Sequence, residues 1–325
     1  MDILFDEIPS LDLADFTSGT SDQKSAFVKK LGEAYQNIGF VAIKNHGLSK
    51  DLQDRLYGSI KSFFALPDEI KKKYEKPEIG YQRGYTGKGK EHAKGRNTGD
   101  LKEFYHVGQE LSLIPDSDSV KSEYPENLWP SEVQGFQNDA IEAFQTLENA
   151  GKSMLKAIAL SLDLQEDYFE DKVVHGNSIL RQIHYFPIEN PDEVPADAVR
   201  AAEHGDINLI TLLMGASADG LQVLRKDGKW IPITALPDQL VVNVGDMLER
   251  LTNKKLKSTI HRVVNPPREL MHTSRFSIPF FMHPRSEMDL TCLESCIDDQ
   301  NPKQFADATA GEFLDERLRE LGLKK

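Results

Sequence analysis

The sequence predicts an antiparallel β-barrel or sandwich in its second half, flanked by helices drawn mostly from its first half. Two observations carry this reading. From about residue 178 the chain breaks into short runs rich in β-branched and aromatic residues, separated by turn pairs such as Asp227-Gly228 and Pro237-Asp238. Before that point, apolar residues recur at helical spacing and only one run has strand texture. With 325 residues, 39% of them hydrophobic, the chain carries enough apolar material for a sizeable core.

Taken in order, Phe27, Leu31 and Tyr35 lie four apart after Ser21, which puts them on one face of a helix that should stop near Gly39. Phe40 to Ile43 reads as a short buried strand. Ser49 is a plausible N-cap for a second helix whose core face is Leu52, Leu56, Ile60, Phe63 and Phe64, ending at Pro67. Residues 79–100, rich in Gly, Lys and Tyr, read as a loop. Ser131 and Gln134 fit a capping box, so a third helix is expected from Ser131 through Phe136, Phe144, Leu147 and Ile158, with Gly151 as a candidate interruption. Strands are then expected at 178–186, 207–213, 221–224, 230–234, 240–244, 258–264 and 276–282. The tail from Pro302 reads as a helix with a solvated, charged face. We expect one integrated domain over 1–325: a helical region over 1–175, the β core over 178–290 and a C-terminal helix within 302–325.

Charge and composition exclude several function classes. The formal net charge is −13, which would repel a phosphate backbone and argues against nucleic acid as a partner. No apolar run approaches the ~20 residues of a membrane helix, and Met1-Asp2-Ile3 opens no basic leader, so a cytoplasmic protein is expected. Cys292 and Cys296 cannot build a four-ligand zinc site alone and are read as inert thiols. The segment Gly84 to Lys90 matches G-x-x-x-x-G-K, but Glu91 stands where a phosphate loop needs Ser or Thr, so it is read as a loop.

The chemistry concentrates in three places. His204-Gly205-Asp206 opens an apolar run, and residues i and i+2 of a strand share a face, so an imidazole and a carboxylate would converge there. A buried carboxylate needs a cation or hydrogen-bond donors; a satisfied pair at a strand entrance is the bland alternative. Fifty-four residues intervene between Asp206 and His261, which sits in the β-branched segment Thr259 to Val264. Two histidines and one carboxylate form a triad that leaves metal positions open, as suits non-haem iron(II), whereas a structural zinc site would be closed by four ligands. Arg275-Phe276-Ser277 is the only R-x-S in the chain, and Arg with Ser on one face supplies a fork plus a third hydrogen bond for a carboxylate.

The order His204-x-Asp206, His261, Arg275-x-Ser277 and then Ile278-Pro279-Phe280-Phe281 resembles the isopenicillin N synthase-like iron(II) and 2-oxoglutarate-dependent dioxygenases. Ile8 to Asp12, Gly39-Phe40-Val41 with Asn45-His46-Gly47, Asp100 to Phe104, Leu180-Arg181 to Tyr185, and Asn243 to Asp246 extend the resemblance over most of the chain. It implies a double-stranded β-helix, a jelly roll of the cupin sort, with helices outside. It also implies that His204, Asp206 and His261 bind Fe(II), that Arg275 and Ser277 hold the distal carboxylate of 2-oxoglutarate, and that Tyr185 helps place that cosubstrate. Oxidation of a small molecule by O2, releasing succinate and carbon dioxide, would follow. Retention of Asp206 points to hydroxylation, desaturation or ring closure and away from halogenation, for which the carboxylate is lost.

The chain departs from the family at two points: Ile183 stands where plant members usually carry Asn, and the stretch between His261 and Arg275 is longer than in isopenicillin N synthase. Tyr81, Arg83, Tyr85, Lys102 and Phe281 lie in regions that approach substrate in relatives, with a fold role equally open to each. His46, His92, His106, His175, His184, His272 and His283 are read as structural, and Asn243 to Asp246 as a strand-end turn. Two other functions fit the same motifs: an oxidase that uses O2 without 2-oxoglutarate, and a non-catalytic jelly-roll binding protein with a structural metal. Because an anionic cosubstrate must enter an acidic protein, a local positive mouth around Arg275 is expected.

Overall fold

The computed structural model describes residues 4–90, 102–188, 190, 199–214, 220–233, 236 and 238–320. In chain order the elements are β1 (Ser10–Asp12), α1 (Leu13–Thr17), α2 (Ser21–Asn37), β2 (Phe40–Lys44), α3 (Lys50–Phe64), α4 (Asp68–Lys71), β3 (Gly84–Thr86), β4 (Lys102–Val107), α5 (Phe136–Ser161) and α6 (Glu170–Val173). They continue with β5 (Ile179–Tyr185), β6 (Ala201–His204), β7 (Ile210–Met214), β8 (Leu221–Leu224), β9 (Trp230–Pro232), β10 (Leu240–Val244), α7 (Asp246–Leu251), β11 (His261–Val263), β12 (Arg275–Met282) and α8 (Ala310–Glu320).

The strands form two sheets, ordered β1-β2-β10-β7-β12-β5-β4-β3 and β6-β11-β8-β9, and all neighbours are antiparallel except β1 with β2. This is a jelly roll with flanking helices. Strand alternation decides which residues face which layer. On the large sheet, Leu180, Ile210, Leu212, Met214, Leu240, Val242, Val244, Ile278, Phe280 and Met282 join the helices in the main core. Their alternate neighbours Ile183, Tyr185 and Val241 turn the other way and pack with Leu221, Val223, Ile231 and Val263 of the small sheet. That second, smaller core is the barrel interior.

The helical wall follows the expected spacing. Thr20 caps α2 with a capping box to Gln23, and the helix ends before Gly39, whose φ of 72° is a left-handed conformation that glycine adopts without a Cβ clash. Ser49 Oγ accepts from Leu52 N at the start of α3, as its N-cap position predicts. Phe63 on α3 then packs edge-on to Tyr105, with ring centroids 4.7 Å apart, fastening the helices to β4.

Several expectations need correction. The third helix starts at Phe136, not Ser131: Gly135 enters it with φ 83° and provides no side-chain cap, so the Ser131–Gln134 capping box does not form. Gly151 does not interrupt that helix; it lets α5 approach the large sheet, where an added Cβ would lie 2.5 Å from Met282 Sδ. The first half contributes four strands, not one, and β3 lies within the stretch read as a loop. Tyr85 of β3 pairs with Tyr105 of β4, which extends the large sheet past β5; such pairing is non-local and leaves little trace in composition. Strand β6 and helix α7 have no counterpart among the expected elements. The parts of the read segments at residues 91–101, 234, 237 and 321–325 lie outside the described residues.

Candidate metal and cosubstrate site

His204 is the last residue of β6 and His261 the first of β11, and the two are direct cross-strand partners. Their rings lie 4.4 Å apart between centroids. Asp206 is not on a strand with His204, as the i, i+2 argument assumed. It lies in the link from β6 to β7, which crosses between the sheets and brings the carboxylate back against both rings. Asp206 Oδ1 is 3.9 Å from His204 Nε2 and 3.7 Å from His261 Nε2. Among the described residues this is the one cluster of three His, Cys, Asp or Glu whose ligand atoms converge, all within 4.8 Å of one another.

The backbone fixes which atoms face the centre. His204 Nδ1 donates to Ala202 O at 2.7 Å and His261 Nδ1 to Thr259 O at 3.2 Å, an arrangement that leaves both Nε2 lone pairs pointing inward. Asp206 Oδ2 accepts from Thr211 Oγ1 at 2.6 Å and Asn243 Nδ2 at 2.8 Å, so Oδ1 is the oxygen left to the centre. Phe40 closes the far side of His261 edge-on at 5.6 Å. Burial of the inner ring face, then the neighbouring His261, pushes His204 down to about 4, although its outer edge stays exposed. Burial alone would raise Asp206, but His261, His204 and the bonds from Asn243 and Thr211 together hold it below the usual carboxylate range. At neutral pH Asp206 is therefore a carboxylate and His204 a neutral imidazole, and His261 completes the set with its Nε2. That donor set suits a borderline divalent ion with open positions.

A cavity of about 630 Å3, open to solvent, joins this cluster to the large sheet. Its wall includes Tyr185, Arg275, Ser277, Lys102 and Phe281. Arg275 and Tyr185 are cross-strand partners, and the guanidinium lies 4.9 Å from the Tyr185 ring centroid. Arg275 is 4% exposed, and its Nε and Nη1 have no hydrogen-bond partner among the described residues. A buried guanidinium with unmet donors is costly unless an anion joins it, so these residues fit a carboxylate ligand. Ser277 is buried beside it, and Ile183, its cross-strand partner, also lines the cavity. Lys102, Arg181 and Arg275 set three cations against Asp206 on this wall, which gives the acidic chain a locally positive chamber.

The five residues flagged as approaching substrate separate. Lys102 and Phe281 line this cavity, and Tyr81 and Phe281 line a second one that adjoins it. Arg83 lines neither: it is fully buried, packed on Gly108, where an added Cβ would fall 2.0 Å from its Cζ. Tyr85 is also structural, donating its hydroxyl to Glu103 Oε2 at 2.5 Å. Sequence reasoning missed the rest of the second cavity's wall, including His106, Asn177, Ile179, Arg181, His283, Leu314 and Leu318. The period-2 pattern of β5 could have pointed to Arg181, two residues before Ile183. Nothing local to α8 marks Leu314 and Leu318 as cavity residues. Of the other histidines, His184 binds Glu103 and Ser274, His175 binds Asp118 and His46 binds Asp238 O, while His272 is exposed and His92 lies outside the described residues. Gly245 caps α7, so Asn243 to Asp246 is a strand-end turn as expected.

Comparison with known proteins gives matches along the chain. A family model described as the 2OG-Fe(II) oxygenase superfamily matches residues 176–284, and one described as non-haem dioxygenase in morphine synthesis N-terminal matches residues 8–132. A 2-oxoglutarate-Fe(II) type oxidoreductase of Emericella nidulans is 31% identical over 293 residues, covering 89% of this chain and 82% of the relative. A crystal structure of a 2OG-Fe(II) oxygenase family protein from Caulobacter crescentus is 41% identical with a TM-score of 0.85, covering 96% of this chain and 98% of that one. A full-length Neurospora crassa protein, whose crystal structure is in complex with alpha-KG and thymine, is 29% identical with a TM-score of 0.84, covering 96% of each chain.

Proposed function

The chain belongs to the 2OG-Fe(II) oxygenase superfamily, and from that premise we propose that His204, Asp206 and His261 hold its iron while Arg275, Ser277 and Tyr185 hold its 2-oxoglutarate. The protein is an oxygenase that uses Fe(II), 2-oxoglutarate and O2. With these bound, the centre supplies oxidative decarboxylation of the cosubstrate to succinate and carbon dioxide and an oxidant able to take hydrogen from an unactivated carbon. The residue assignments rest on one observation above all: two Nε2 atoms and one carboxylate oxygen converge across a cavity from a buried guanidinium with unmet donors.

Each residue has a distinct task. The Ala202 and Thr259 carbonyls hold the two imidazoles in the tautomer that can ligate. Thr211 and Asn243 hold Asp206 ionised and aimed. Arg275 and Ser277, side by side on β12, grip the distal carboxylate of 2-oxoglutarate, with the Tyr185 ring against the guanidinium. Ile183 replaces the hydrogen bond that an Asn would give with an apolar wall. Val263, Leu213 and Leu221 add apolar wall to the same space.

Because Asp206 keeps its position in the triad, the reaction on substrate is hydroxylation, desaturation or ring closure, not halogenation. The substrate is a small molecule; the Neurospora relative's thymine makes small planar rings the first class to screen. The alpha-KG-bound relatives favour the 2-oxoglutarate reading over a cosubstrate-free oxidase. The chain acts as one unit in the cytoplasm: β1 to β4 of its first part complete the large sheet, and its two cysteines are buried free thiols. No helix among the described residues is long and apolar enough to cross a membrane. Succinate release from 2-oxoglutarate in air, measured with Fe(II), tests the assignment. It should fall to background in His204→Ala and His261→Ala; turnover retained in either variant would remove that residue from the metal.

A further inference from the structure

Arg200 stands one residue before β6, the strand that ends in His204, and its guanidinium reaches the approach to β12 in the other sheet. Its Nη2 donates to Thr273 O at 2.9 Å, two residues before Arg275 opens β12. We propose that Arg200 is a positioning residue of the cosubstrate clamp. By tying the entry of β12 to the entry of β6 it fixes the span from the metal ligands to Arg275, and so selects a five-carbon 2-oxo diacid over a longer one. The inference rests on the oxygenase reading above and adds the residue that sets the length of the cosubstrate.

Three observations carry it. First, Arg275 is not fastened through its own Nε or Nη1, which have no partner among the described residues; its guanidinium rests against the Tyr185 ring. Its place therefore depends on the backbone that leads into β12. That backbone is pinned at three points: Met271 O accepts from Ile188 N at 2.7 Å, Thr273 O accepts from Arg200, and Ser274 Oγ lies 3.0 Å from His184 Nε2. His184 lies on β5 and Ile188 just beyond it, so those two bonds stay beside a neighbour of β12 in its own sheet. The Arg200 bond instead joins the approach to β12 to the strand that carries His204.

Second, Arg200 is costly where it stands. It is 2% exposed, and among the described residues its one hydrogen bond is to Thr273 O, with no carboxylate partner. An uncompensated buried charge destabilises a fold, so its presence calls for a task. Burial and then Arg275 hold its guanidinium below the ordinary arginine range, which puts the two cations near enough to oppose each other. Arg275 lines the chamber and Arg200 does not, so the repulsion favours Arg275 on the chamber side, where an anion relieves both. Third, the strand that Arg200 anchors is part of the chamber. Ala201, the next residue, lines it and pairs with Val263, two residues after His261. A diacid that must reach the metal ligands and Arg275 together rewards a span set in advance, and a small misplacement at either end is felt in full.

The test measures binding of 2-oxoglutarate and of 2-oxoadipate, one carbon longer, to the Mn(II)-loaded protein by calorimetry, with Mn(II) affinity measured alongside. The wild type should prefer 2-oxoglutarate. Arg200→Met should weaken 2-oxoglutarate about tenfold and 2-oxoadipate about threefold or less, and leave Mn(II) affinity within about twofold. Added to Arg275→Gln, the same substitution should change 2-oxoglutarate affinity by about twofold or less, because the residue through which it acts is gone. Arg200→Gln, which keeps an amide but neither the charge nor the reach, is read in the same way if Arg200→Met does not fold. The inference is overturned if the variant binds both diacids like the wild type, if both weaken by the same factor, or if the loss persists in full without Arg275. Failure of the wild type to bind 2-oxoglutarate at all would instead overturn the oxygenase reading on which the inference rests.

Discussion

Thr211→Val isolates the aiming of Asp206. Valine keeps the shape of threonine but removes the hydroxyl that donates to Asp206 Oδ2 at 2.6 Å, and Asn208 Nδ2 retains its other acceptor, Ile210 O, at 2.8 Å. Asp206 then keeps one donor, Asn243 Nδ2. A hydrogen bond to a charged group is worth about 1.5–3 kcal/mol, which corresponds to roughly 10- to 100-fold in metal affinity if the bond serves the ligating form. The lost donor also lets the Asp206 carboxyl rise, so the acid edge of metal binding should move to higher pH. Calorimetric titration with Mn(II) across pH 5–8 reads both effects. Asn243→Leu should act in the same direction. If both variants bind Mn(II) within about twofold of wild type with an unmoved acid edge, Asp206 is not being aimed by these bonds and the ligand assignment loses its support.

Two further predictions concern the frame around the site. Glu103 is buried with Lys71 at 2.9 Å, Tyr85 at 2.5 Å and His184 at 2.8 Å; burial would raise its carboxyl, but bonds from His184, Tyr85 and Lys71 outweigh it and hold it low. Glu103→Gln leaves the Lys71 ammonium only the exposed Asp68 carboxylate, 3.1 Å away, and should cost roughly 1.5–3 kcal/mol at pH 7 by denaturant unfolding. Since the folded carboxyl sits below its unfolded value, its contribution is full above about pH 4.3 and fades as pH falls through the folded value, so wild type and variant should converge in acid and not in alkali. Gly39→Ala places a Cβ 2.1 Å from Lys257 O at a φ of 72°. It should lose about 1–3 kcal/mol or more from strain alone, and unchanged unfolding would contradict the turn's role.

The parts of this molecule that sequence made legible are those governed by local rules. Ser49 as an N-cap, the stop at Gly39, and strands such as Leu221–Leu224 and Leu240–Val244 follow from side-chain spacing and turn chemistry. The triad and the Arg-x-Ser pair were legible because each chemistry-bearing residue lies in a short recognisable segment. What escaped depended on tertiary context. Strand β3 exists because β4 offers an edge, Gly135 replaces a side-chain cap with a backbone turn, and Asp206 reaches the histidines from a link between sheets. Arg83, for which sequence leaves a place near substrate and a fold role equally open, is fully buried against Gly108. Leu314 and Leu318 reach the second cavity through the docking of α8, which their own helix does not encode.

The central claim is that one chamber binds the metal through His204, Asp206 and His261 and 2-oxoglutarate through Arg275. Anaerobic titration of 2-oxoglutarate into the Fe(II)-loaded protein, followed in the visible range, tests it most directly. The account predicts a charge-transfer band that saturates in the wild type, needs at least about tenfold more 2-oxoglutarate in Arg275→Gln, and is absent in His261→Ala. No band in the wild type, or a band of equal strength and affinity in all three proteins, would contradict it.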